Sequence, residues 1–406
     1  ASDIHFHIMK RSAAVDFRVN RGVKRIESNL DRERVLDMVR AAFNYTATME
    51  GGQASGGYKT RVVNDGSIVI QIEGRGIVPV RLSSIPNKNG ASIILRLLTS
   101  TERLLTLGEL GYLPEQQAIY QDTANLPFGG VITAGPTGSG KSTTVAAALR
   151  LVNPDRRVIT FEDPIEHDLP NASQVPVNPK NPETSWETLL EASLRQDPDV
   201  MFFSELRSQA VAKLFSRASS SGHLVYATLH ANTATQIPRV LRDMGLPIST
   251  LTDETFLRVI GSQRLIKRLC PNCKIPLERS PHIEYDKNRM ARFFGDDLPK
   301  LRTVNPKGCG TCGGSGLKGV GMVAEVIRLD TEDRAYIAAD DYNGWRVALL
   351  KKGWVDMREH ARQKIIGGDY CPFLTELEIA AYFGDTERTD TFHYGDYRAS
   401  LIEKRG

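Results

Sequence analysis

The chain has 406 residues, of which 41% are hydrophobic and 25% are charged, and its formal net charge is +4 at pH 7. At roughly 100–200 residues per domain, this length predicts two to four domains of an ordinary globular protein. The sequence contains no basic run typical of a nucleic-acid-binding arm, no signal peptide, and no apolar stretch near the roughly 18 residues of a membrane span. A reducing cytoplasm is therefore the expected compartment for its five cysteines.

Residues 1–100 are predicted to form a mixed α/β domain. Apolar residues alternate in 2–20, which predicts two half-buried strands, and the apolar spacing of 31–50 predicts a helix. A helical connector is predicted at 104–120, so residues 101–120 are expected to link this domain to the next one. Further strand patterns lie at 58–64, 67–73, 77–83 and 91–98.

Apolar strands alternate with helices in residues 121–262. This alternation predicts βαβ units around a parallel sheet, and hence an α/β fold. The predicted strands are 131–133, 158–161, 199–203 and 224–229, and the predicted helices are 142–151, 186–194 and 209–218.

The first strand and helix of this region enclose a glycine-rich sequence, Gly135-Pro-Thr-Gly-Ser-Gly-Lys-Ser142. Glycines at these places let backbone N–H groups converge on phosphate oxygens, and the positive end of the helix dipole faces the same anion. Lys141 is predicted to reach the β- and γ-phosphates of ATP and Ser142 to bind Mg²⁺. A chance glycine-rich turn is the alternative, which the flanking strand and helix disfavour. The residues predicted to bind the nucleotide are Gly135, Pro136, Thr137, Gly138, Ser139, Gly140, Lys141, Ser142 and Thr143.

Acidic residues follow two neighbouring predicted strands, Glu162 after the second and Glu205 after the third. Because ligands of a parallel sheet lie beyond the carboxyl ends of its strands, both carboxylates should face the nucleotide. One would orient or deprotonate the attacking water and the other would hold Mg²⁺, although each could instead be a solvated acid at a strand end. His223 and His230 bracket the fourth strand and are candidates for contacts to phosphate or to Glu205, whereas a lone histidine is more often structural.

Four of the five cysteines form two CxxC pairs, Cys270 with Cys273 and Cys309 with Cys312. Two such turns can complete a tetrahedral shell of four sulfurs, and zinc is the expected metal. A rubredoxin-like iron site has the same ligands and stays open as an alternative. A shell of four thiolates leaves no open position, so the metal should be structural. Cys371 stands apart and is expected to be a small, partly buried side chain.

Taken in order, these motifs resemble those of the secretion ATPases of type II secretion and type IV pilus assembly, the GspE/PilB type. The resemblance covers nearly all 406 residues. Gly135–Ser142 is similar to the Walker A motif of that family, Thr160–Glu166 to its acidic box, Leu194–Val200 with Glu205–Arg207 to its Walker B segment, Gly222–Asn232 to its histidine box, and Gln263–Leu265 with the CxxC pairs to its zinc region.

The resemblance implies a hexameric ATPase with a RecA-like core at 121–262 and a PAS-like amino-terminal domain at 1–100. It also implies a tetracysteine zinc subdomain at 263–330 and a helical carboxyl-terminal region at 331–406. Its cofactors would be ATP, Mg²⁺ and Zn²⁺.

The resemblance also assigns roles to single residues. Glu162 would be the catalytic base and Glu205 the Walker B acid, with His230 in the histidine box. Arg81 and Arg96 match arginines that the amino-terminal domain turns toward the phosphates, although both could be ordinary surface charges. Arginine fingers of this kind would link hydrolysis to domain motion.

The sequence departs from the family pattern at Ser204, where glycine is usual, and at Ser208, where aspartate is usual. These departures put the fine geometry near Glu205 in question. The family's first amino-terminal domain, which docks on a membrane partner, is not recognisable here. Either that domain was removed, or the chain is a short relative such as a conjugation or type IV secretion ATPase.

The tetracysteine insert favours assembly or export over retraction. The implied partner is an inner-membrane platform protein, with the ATPase peripheral at the cytoplasmic face of the inner membrane and no nucleic acid bound. A RecA-type nucleic-acid motor is a second hypothesis, but a +4 charge and 7% aromatic residues give it little support. A third is a nucleotide-gated scaffold that binds ATP and barely hydrolyses it.

Overall fold

The computed structural model describes residues 2–19, 22–49, 58–59, 61–72, 76–97, 103–178, 181–280, 283–381 and 383. The chain divides into two compact units, Ala1–Glu102 and Arg103–Gly406. The end of the predicted helical region, residues 384–406, lies outside the described residues. In the described part of the chain, no helix combines the length and the apolar composition needed to cross a bilayer.

The first unit is a six-stranded antiparallel sheet with a helix on one face. Its elements are β1 (Asp3–Ile8), β2 (Ala13–Val19), β3 (Gly22–Leu30), α1 (Arg32–Met49), β4 (Asn64–Ile72), β5 (Gly76–Asn87) and β6 (Gly90–Leu97). The strands lie in the order β3-β2-β1-β6-β5-β4. Leu36 and Val39 of α1 pack against Leu82 and Ile93 of the sheet, and all four side chains are buried.

Two features of this unit differ from the sequence prediction. The strand predicted at 58–64 is wrong, because residues 61–63 lie outside any strand and β4 begins at Asn64. The sequence does not predict strand β3. Its residues are exposed up to Leu30, so it lacks the alternation of apolar and polar residues that marks a half-buried strand.

The second unit is built on a seven-stranded sheet. Its strands are β7 (Gly129–Ala134), β8 (Val158–Glu162), β9 (Ala172–Pro176), β10 (Val200–Phe203), β11 (Leu224–Leu229), β12 (Leu257–Leu269) and β15 (Leu317–Arg328), and the short β13 (Ile275–Pro276) and β14 (Arg302–Thr303) form a separate ribbon. The order is β15-β12-β7-β11-β10-β8-β9. All neighbours run parallel except β15, which pairs antiparallel with β12 at one edge.

The helices of the second unit are α2 (Leu107–Leu110), α3 (Pro114–Ala124), α4 (Lys141–Leu149), α5 (Trp186–Ser193), α6 (Gln209–Ser220), α7 (Ile237–Asp243), α8 (Ile248–Leu251), α9 (Ile283–Phe294), α10 (Thr331–Ala338), α11 (Tyr342–Lys351), α12 (Met357–Ile366) and α13 (Pro372–Ile379). The single helical connector predicted at 104–120 is two helices. Gly111, at a φ of 105°, ends α2 and Pro114 begins α3.

Helices cover both faces of the seven-stranded sheet. Successive residues of β7 point to opposite sides, so Val131 packs in the core that contains α4 while Ile132 packs in the core that contains α6. A third core joins the outer half of β12 to α9, α12 and α13. Because the central strands are parallel, their carboxyl ends meet at one edge of the sheet, and this edge positions the site described below.

Candidate active site

The glycine-rich segment 135–140 is a curled loop between β7 and α4. Gly135, Gly138 and Gly140 have φ angles of 153°, 73° and 83°, which residues with a side chain rarely adopt. A Cβ atom at Gly135 would lie 2.5 Å from Ser139 Oγ and 2.6 Å from the carbonyl oxygen of Gln263, whereas a Cβ atom at Gly138 would meet no atom within 4 Å. At Gly135 the loop therefore packs closely against Ser139 and against β12. At Gly138 it borders open space.

Lys141, the first residue of α4, lays its side chain over this loop. Its Nζ donates to the carbonyl oxygens of Gly135, at 3.0 Å, and Pro136, at 3.3 Å. Burial lowers the pKa of Lys141, and the negative charges of Glu205 and Glu166 partly oppose that shift. A phosphate would offer this ammonium a charged acceptor, with which a hydrogen bond is stronger than with a neutral carbonyl.

The residues around Lys141 fit a bound nucleotide. The buried hydroxyl of Ser139 has no hydrogen-bond partner, so a polar atom of the loop is left unsatisfied. Ser142 and Thr143 stand half-buried in the first turn of α4, where a hydroxyl can reach a metal ion beside the phosphates. Thr143 Oγ1 lies 3.1 Å from Nε2 of His167.

Glu162 ends β8 and is almost completely buried, with 3% of its surface exposed. Its Oε1 accepts hydrogen bonds from Gln174 Nε2 at 2.9 Å and Thr160 Oγ1 at 2.7 Å. Burial raises the pKa of Glu162, and the two hydrogen bonds oppose but do not cancel this effect. A carboxylate with a raised pKa that is held by two donors suits proton abstraction from a water molecule.

Glu205 follows β10 and lies at the same edge of the sheet. Its Oε1 is 2.8 Å from Nε2 of His230, which follows β11, and its Oε2 accepts a hydrogen bond from Arg207 Nε at 2.6 Å. The guanidinium of Arg207 also lies 3.6 Å from a carboxylate oxygen of Asp163. The structure thus brings together Glu205 and His230, as the sequence predicts, and adds Arg207 as a second partner.

His223 is not part of this arrangement. It precedes β11, at the opposite end of the strand from His230, and its Nδ1 lies 3.1 Å from Ser221 Oγ and 3.2 Å from the carbonyl oxygen of Ala218. The prediction that both histidines are candidates for contacts at the site is wrong for His223, because the ends of one strand face opposite edges of the sheet.

Arg81 and Arg96 lie opposite each other on β5 and β6, on the sheet face away from α1. Arg96 Nε donates to Asp3 Oδ1 at 2.8 Å, while the Arg96 side chain stays 52% exposed. Burial acts to raise the pKa of Asp3, but the hydrogen bonds from Arg96 and Ser2 and the charges of Arg96 and Arg18 together outweigh it, so the pKa is lowered. The predicted contact of Arg81 and Arg96 with the nucleotide phosphates stays a prediction, because both arginines belong to the first unit.

Three supporting side chains, Thr160, Gln174 and Gln263, had no predicted role at the site. Thr160 and Gln174 hold Glu162, and Gln263 on β12 holds the glycine loop through a 2.7 Å hydrogen bond from its Nε2 to the Ser139 carbonyl oxygen. One signal in the sequence could have found Gln263. A run of polar residues, Ser262 to Arg264, interrupts an apolar strand, and buried polar residues need specific partners.

The four paired cysteines form a cluster in which all four sulfur atoms lie within 4.8 Å of one another. Sulfur–sulfur distances are 3.7 Å for Cys270–Cys309, 3.9 Å for Cys273–Cys312 and 3.8 Å for Cys309–Cys312. Four thiolates bound tetrahedrally at zinc distances would lie about 3.8 Å apart, so the cluster fits such an ion.

Backbone donors support the cluster. The N–H groups of Cys309 and Gly316 donate to Cys312 Sγ at 3.2 and 3.1 Å. Burial disfavours the Cys312 thiolate, but these donors together with the neighbouring thiols of Cys309 and Cys273 outweigh it and lower its pKa to about 6. A thiolate is the form that binds metal.

The sequence profile described as "Type II/IV secretion system protein" matches residues 1–378. The chain belongs to this family. It is 34% identical over 369 residues to type II secretion system protein E of Klebsiella pneumoniae, covering 91% of this chain and 70% of that protein. It is 31% identical over 373 residues to the type IV pilus assembly ATPase PilB of Acinetobacter baylyi, covering 91% of this chain and 62% of that protein.

This secretion-family chain therefore spans about two thirds of the length of these relatives. Among solved structures, the ATPase DotB of Legionella pneumophila superposes with a TM-score of 0.64 over 94% of this chain and 92% of that chain, at 18% identity. This likeness confirms the α/β fold. The family membership places the glycine loop, Glu162 and Glu205 in an ATPase.

We expect Gln174→Leu to shift the pH dependence of ATP hydrolysis. A carboxylate base must be unprotonated, so the rate falls as the pH drops through the pKa of Glu162, which burial already raises. Loss of the Gln174 donor removes a hydrogen bond to the charged form and should raise this pKa further. Single-turnover hydrolysis measured against pH should then show an acidic limb at higher pH, while Gln116→Leu, which changes a buried glutamine elsewhere, should leave the limb in place. An unmoved limb in Gln174→Leu would exclude Glu162 as the titrating base.

Proposed function

We propose that this chain is an ATP-driven motor of type IV pilus assembly or type II protein secretion. It works as a hexamer at the cytoplasmic face of the inner membrane. The observation that carries the proposal is the meeting, at one edge of a parallel sheet, of a glycine loop closed by Lys141 with the carboxylates Glu162 and Glu205. Positioning and charge stabilisation are what phosphoryl transfer requires of a protein.

In this mechanism, the amides of loop 135–140 and the Lys141 ammonium bind the phosphates of ATP. The Ser142 hydroxyl and Glu205 would hold Mg²⁺, which supplies positive charge beside the transferred phosphoryl group. Glu162, oriented by Thr160 and Gln174, takes the proton of the attacking water. His230 and Arg207 hold the Glu205 carboxylate in place, because Arg207 donates a hydrogen bond to one oxygen and the His230 ring lies within hydrogen-bond distance of the other.

The finer architecture belongs to the same proposal. Residues 1–100 form a PAS-like domain, 101–120 a linker, 121–262 a RecA-like core, 263–330 a zinc subdomain and 331–406 a helical region. Two observations support the first and third of these assignments. The first unit is an antiparallel sheet with a helix on one face, and the second unit is a mainly parallel sheet with helices on both faces.

The partner in this proposal is an inner-membrane platform protein, and no nucleic acid is bound. The names of the relatives support it, since one is a type IV pilus assembly ATPase and another a type II secretion protein. A structural zinc ion bound by Cys270, Cys273, Cys309 and Cys312 completes the set of cofactors, with the spacing of the four sulfurs as its support.

Hydrolysis separates a motor from a scaffold that only binds ATP. We expect Glu162→Gln to reduce single-turnover hydrolysis about 100-fold or more while ATP binding persists, because the amide cannot accept the proton. Lys141→Ala should abolish measurable binding of Mg-ATP, and Glu191→Gln, a change of an exposed acid on α5, serves as the control. Equal hydrolysis rates in wild type and Glu162→Gln would exclude the proposed base.

Metal content tests the cysteine cluster. The purified chain should contain one zinc per chain by elemental analysis, and Cys309→Ser should lose it and melt at a lower temperature, because metal binding stabilises the folded state. Cys371→Ser is the matched control, since Cys371 is buried and lies outside the cluster, so it should retain zinc. Iron in place of zinc, or a metal-free chain that melts normally, would contradict the assignment.

Assembly and the arginine role can be measured together. With a non-hydrolysable ATP analogue, light scattering should give a particle of about 270 kDa, six chains of 45.0 kDa each. Arg81→Ala should keep this mass but lower hydrolysis about 1,000-fold, the low end for an arginine finger. Arg40→Ala, which removes an exposed arginine paired with Asp37, is the control. A monomer, or full activity in Arg81→Ala, would contradict this part of the proposal.

A further inference from the structure

The amide of Gln263 connects three segments that are far apart in sequence. Its Nε2 donates to the Ser139 carbonyl oxygen at 2.7 Å, and its Oε1 accepts hydrogen bonds from Thr144 Oγ1 and Tyr112 OH, both at 2.9 Å. The residue is 1% exposed, so these bonds do not compete with solvent. One side chain of β12 thus holds the glycine loop, the first turns of α4 and the connection between α2 and α3.

The bond to Ser139 controls the part of the loop that would face a phosphate. A peptide unit is planar and almost always trans, so its carbonyl oxygen and its N–H point in opposite directions. Fixing the Ser139 carbonyl toward Gln263 therefore turns the N–H of Gly140 away from β12. Gly140 itself has a φ of 83° and is the N-cap residue before α4, at the place where backbone N–H groups of a helix start bind anions.

The loop also rests on the backbone of Gln263. A Cβ atom at Gly135 would lie 2.6 Å from the Gln263 carbonyl oxygen, and one at Gly140 would lie 3.4 Å from Gln263 Nε2. Both ends of the glycine loop are therefore in contact with this residue. A change in the position of the Gln263 side chain must move the loop or break its hydrogen bonds.

Tyr112 links the same amide to the segment that enters the second unit. It is buried, its ring packs edge-on against Tyr120 with centroids 5.5 Å apart, and burial raises the pKa of its hydroxyl, which keeps it protonated as a donor. Nearby, Arg150 of the turn after α4 donates to the Leu104 carbonyl oxygen at 2.6 Å. The segment 104–112 is thus tied to the phosphate-binding elements at two points.

We propose that Gln263 is a positioning residue for the phosphates of the nucleotide and that Tyr112, acting through it, couples segment 104–112 to nucleotide affinity. This inference rests on the proposed function, because it assigns a support to the same nucleotide site. Gln263 touches no reacting atom. Its role is to orient the Ser139–Gly140 peptide.

The experiment compares Gln263→Met with Gln116→Met. Gln116 is also a buried glutamine, with Nε2 bonded to the Ala324 carbonyl oxygen at 2.9 Å and Oε1 accepting from the Leu113 N–H at 3.1 Å, and it does not contact the loop. Both changes remove buried hydrogen bonds, so both should lower the melting temperature. Only Gln263→Met should also raise the Kd for a fluorescent Mg-ADP analogue, by roughly five- to tenfold, the effect of losing one such bond.

Tyr112→Phe is a milder variant that keeps the ring and loses only the hydroxyl. We expect it to raise the Kd about threefold in the wild-type background and to have a much smaller effect in Gln263→Met, because only the longer 3.4 Å contact of the Tyr112 hydroxyl with Thr144 Oγ1 then remains. The same Kd in all variants, with only the melting temperature changed, would overturn the inference and leave a purely structural glutamine. An additive effect of Tyr112→Phe in Gln263→Met would overturn the coupling.

These measurements distinguish a failure of the proposed nucleotide site from a failure of the proposed role of Gln263. If the wild-type chain binds Mg-ADP and Lys141→Ala does not, the nucleotide site stands, and an unchanged Kd in Gln263→Met counts against the positioning role alone. If the wild-type chain binds no nucleotide, both the proposed function and this inference are overturned.

Discussion

The tight curvature of loop 135–140 is the constraint on which the rest of the site depends. Three glycines with positive φ allow the chain to turn from β7 into α4 while its amides gather around one space. The curvature is held from outside by β12, because the Gln263 side chain binds Ser139 and its backbone excludes any larger residue at Gly135. The parallel order of the strands then brings the acidic residues to the same edge.

Burial shifts the pKa values of two ionisable groups at this edge of the sheet. Desolvation lowers the pKa of Lys141 and raises that of Glu162, because burial disfavours the charged form of each group. Each carboxylate oxygen of Glu205 has a neighbour at this edge, His230 Nε2 at 2.8 Å and Arg207 Nε at 2.6 Å. A site with a desolvated cation and a desolvated acid is prepared for a ligand that brings both negative charge and metal, since electrostatic interactions are stronger away from water.

Local sequence patterns are sufficient to predict much of the fold and of the candidate site. The glycine loop, the strands that end in Glu162 and before Glu205, and the paired cysteines follow from spacing and period, because each is a property of neighbouring residues. The contacts of Gln263 could not be predicted in the same way, since its partners Tyr112 and Ser139 are 151 and 124 residues away. The same holds for strand β3, whose exposed residues carry no periodic signal.

The continuity of β12 has a consequence for the cysteine cluster. From Gln263 this strand continues to Leu269, the residue before Cys270, over about 20 Å at 3.3 Å per residue. It pairs with β15, which begins five residues after Cys312. The cluster therefore closes the loop that joins the two strands. A slip of β15 along β12 would move Cys309 and Cys312 away from Cys270, so a closed cluster favours the observed pairing, in which Gln263 lies opposite Ala324.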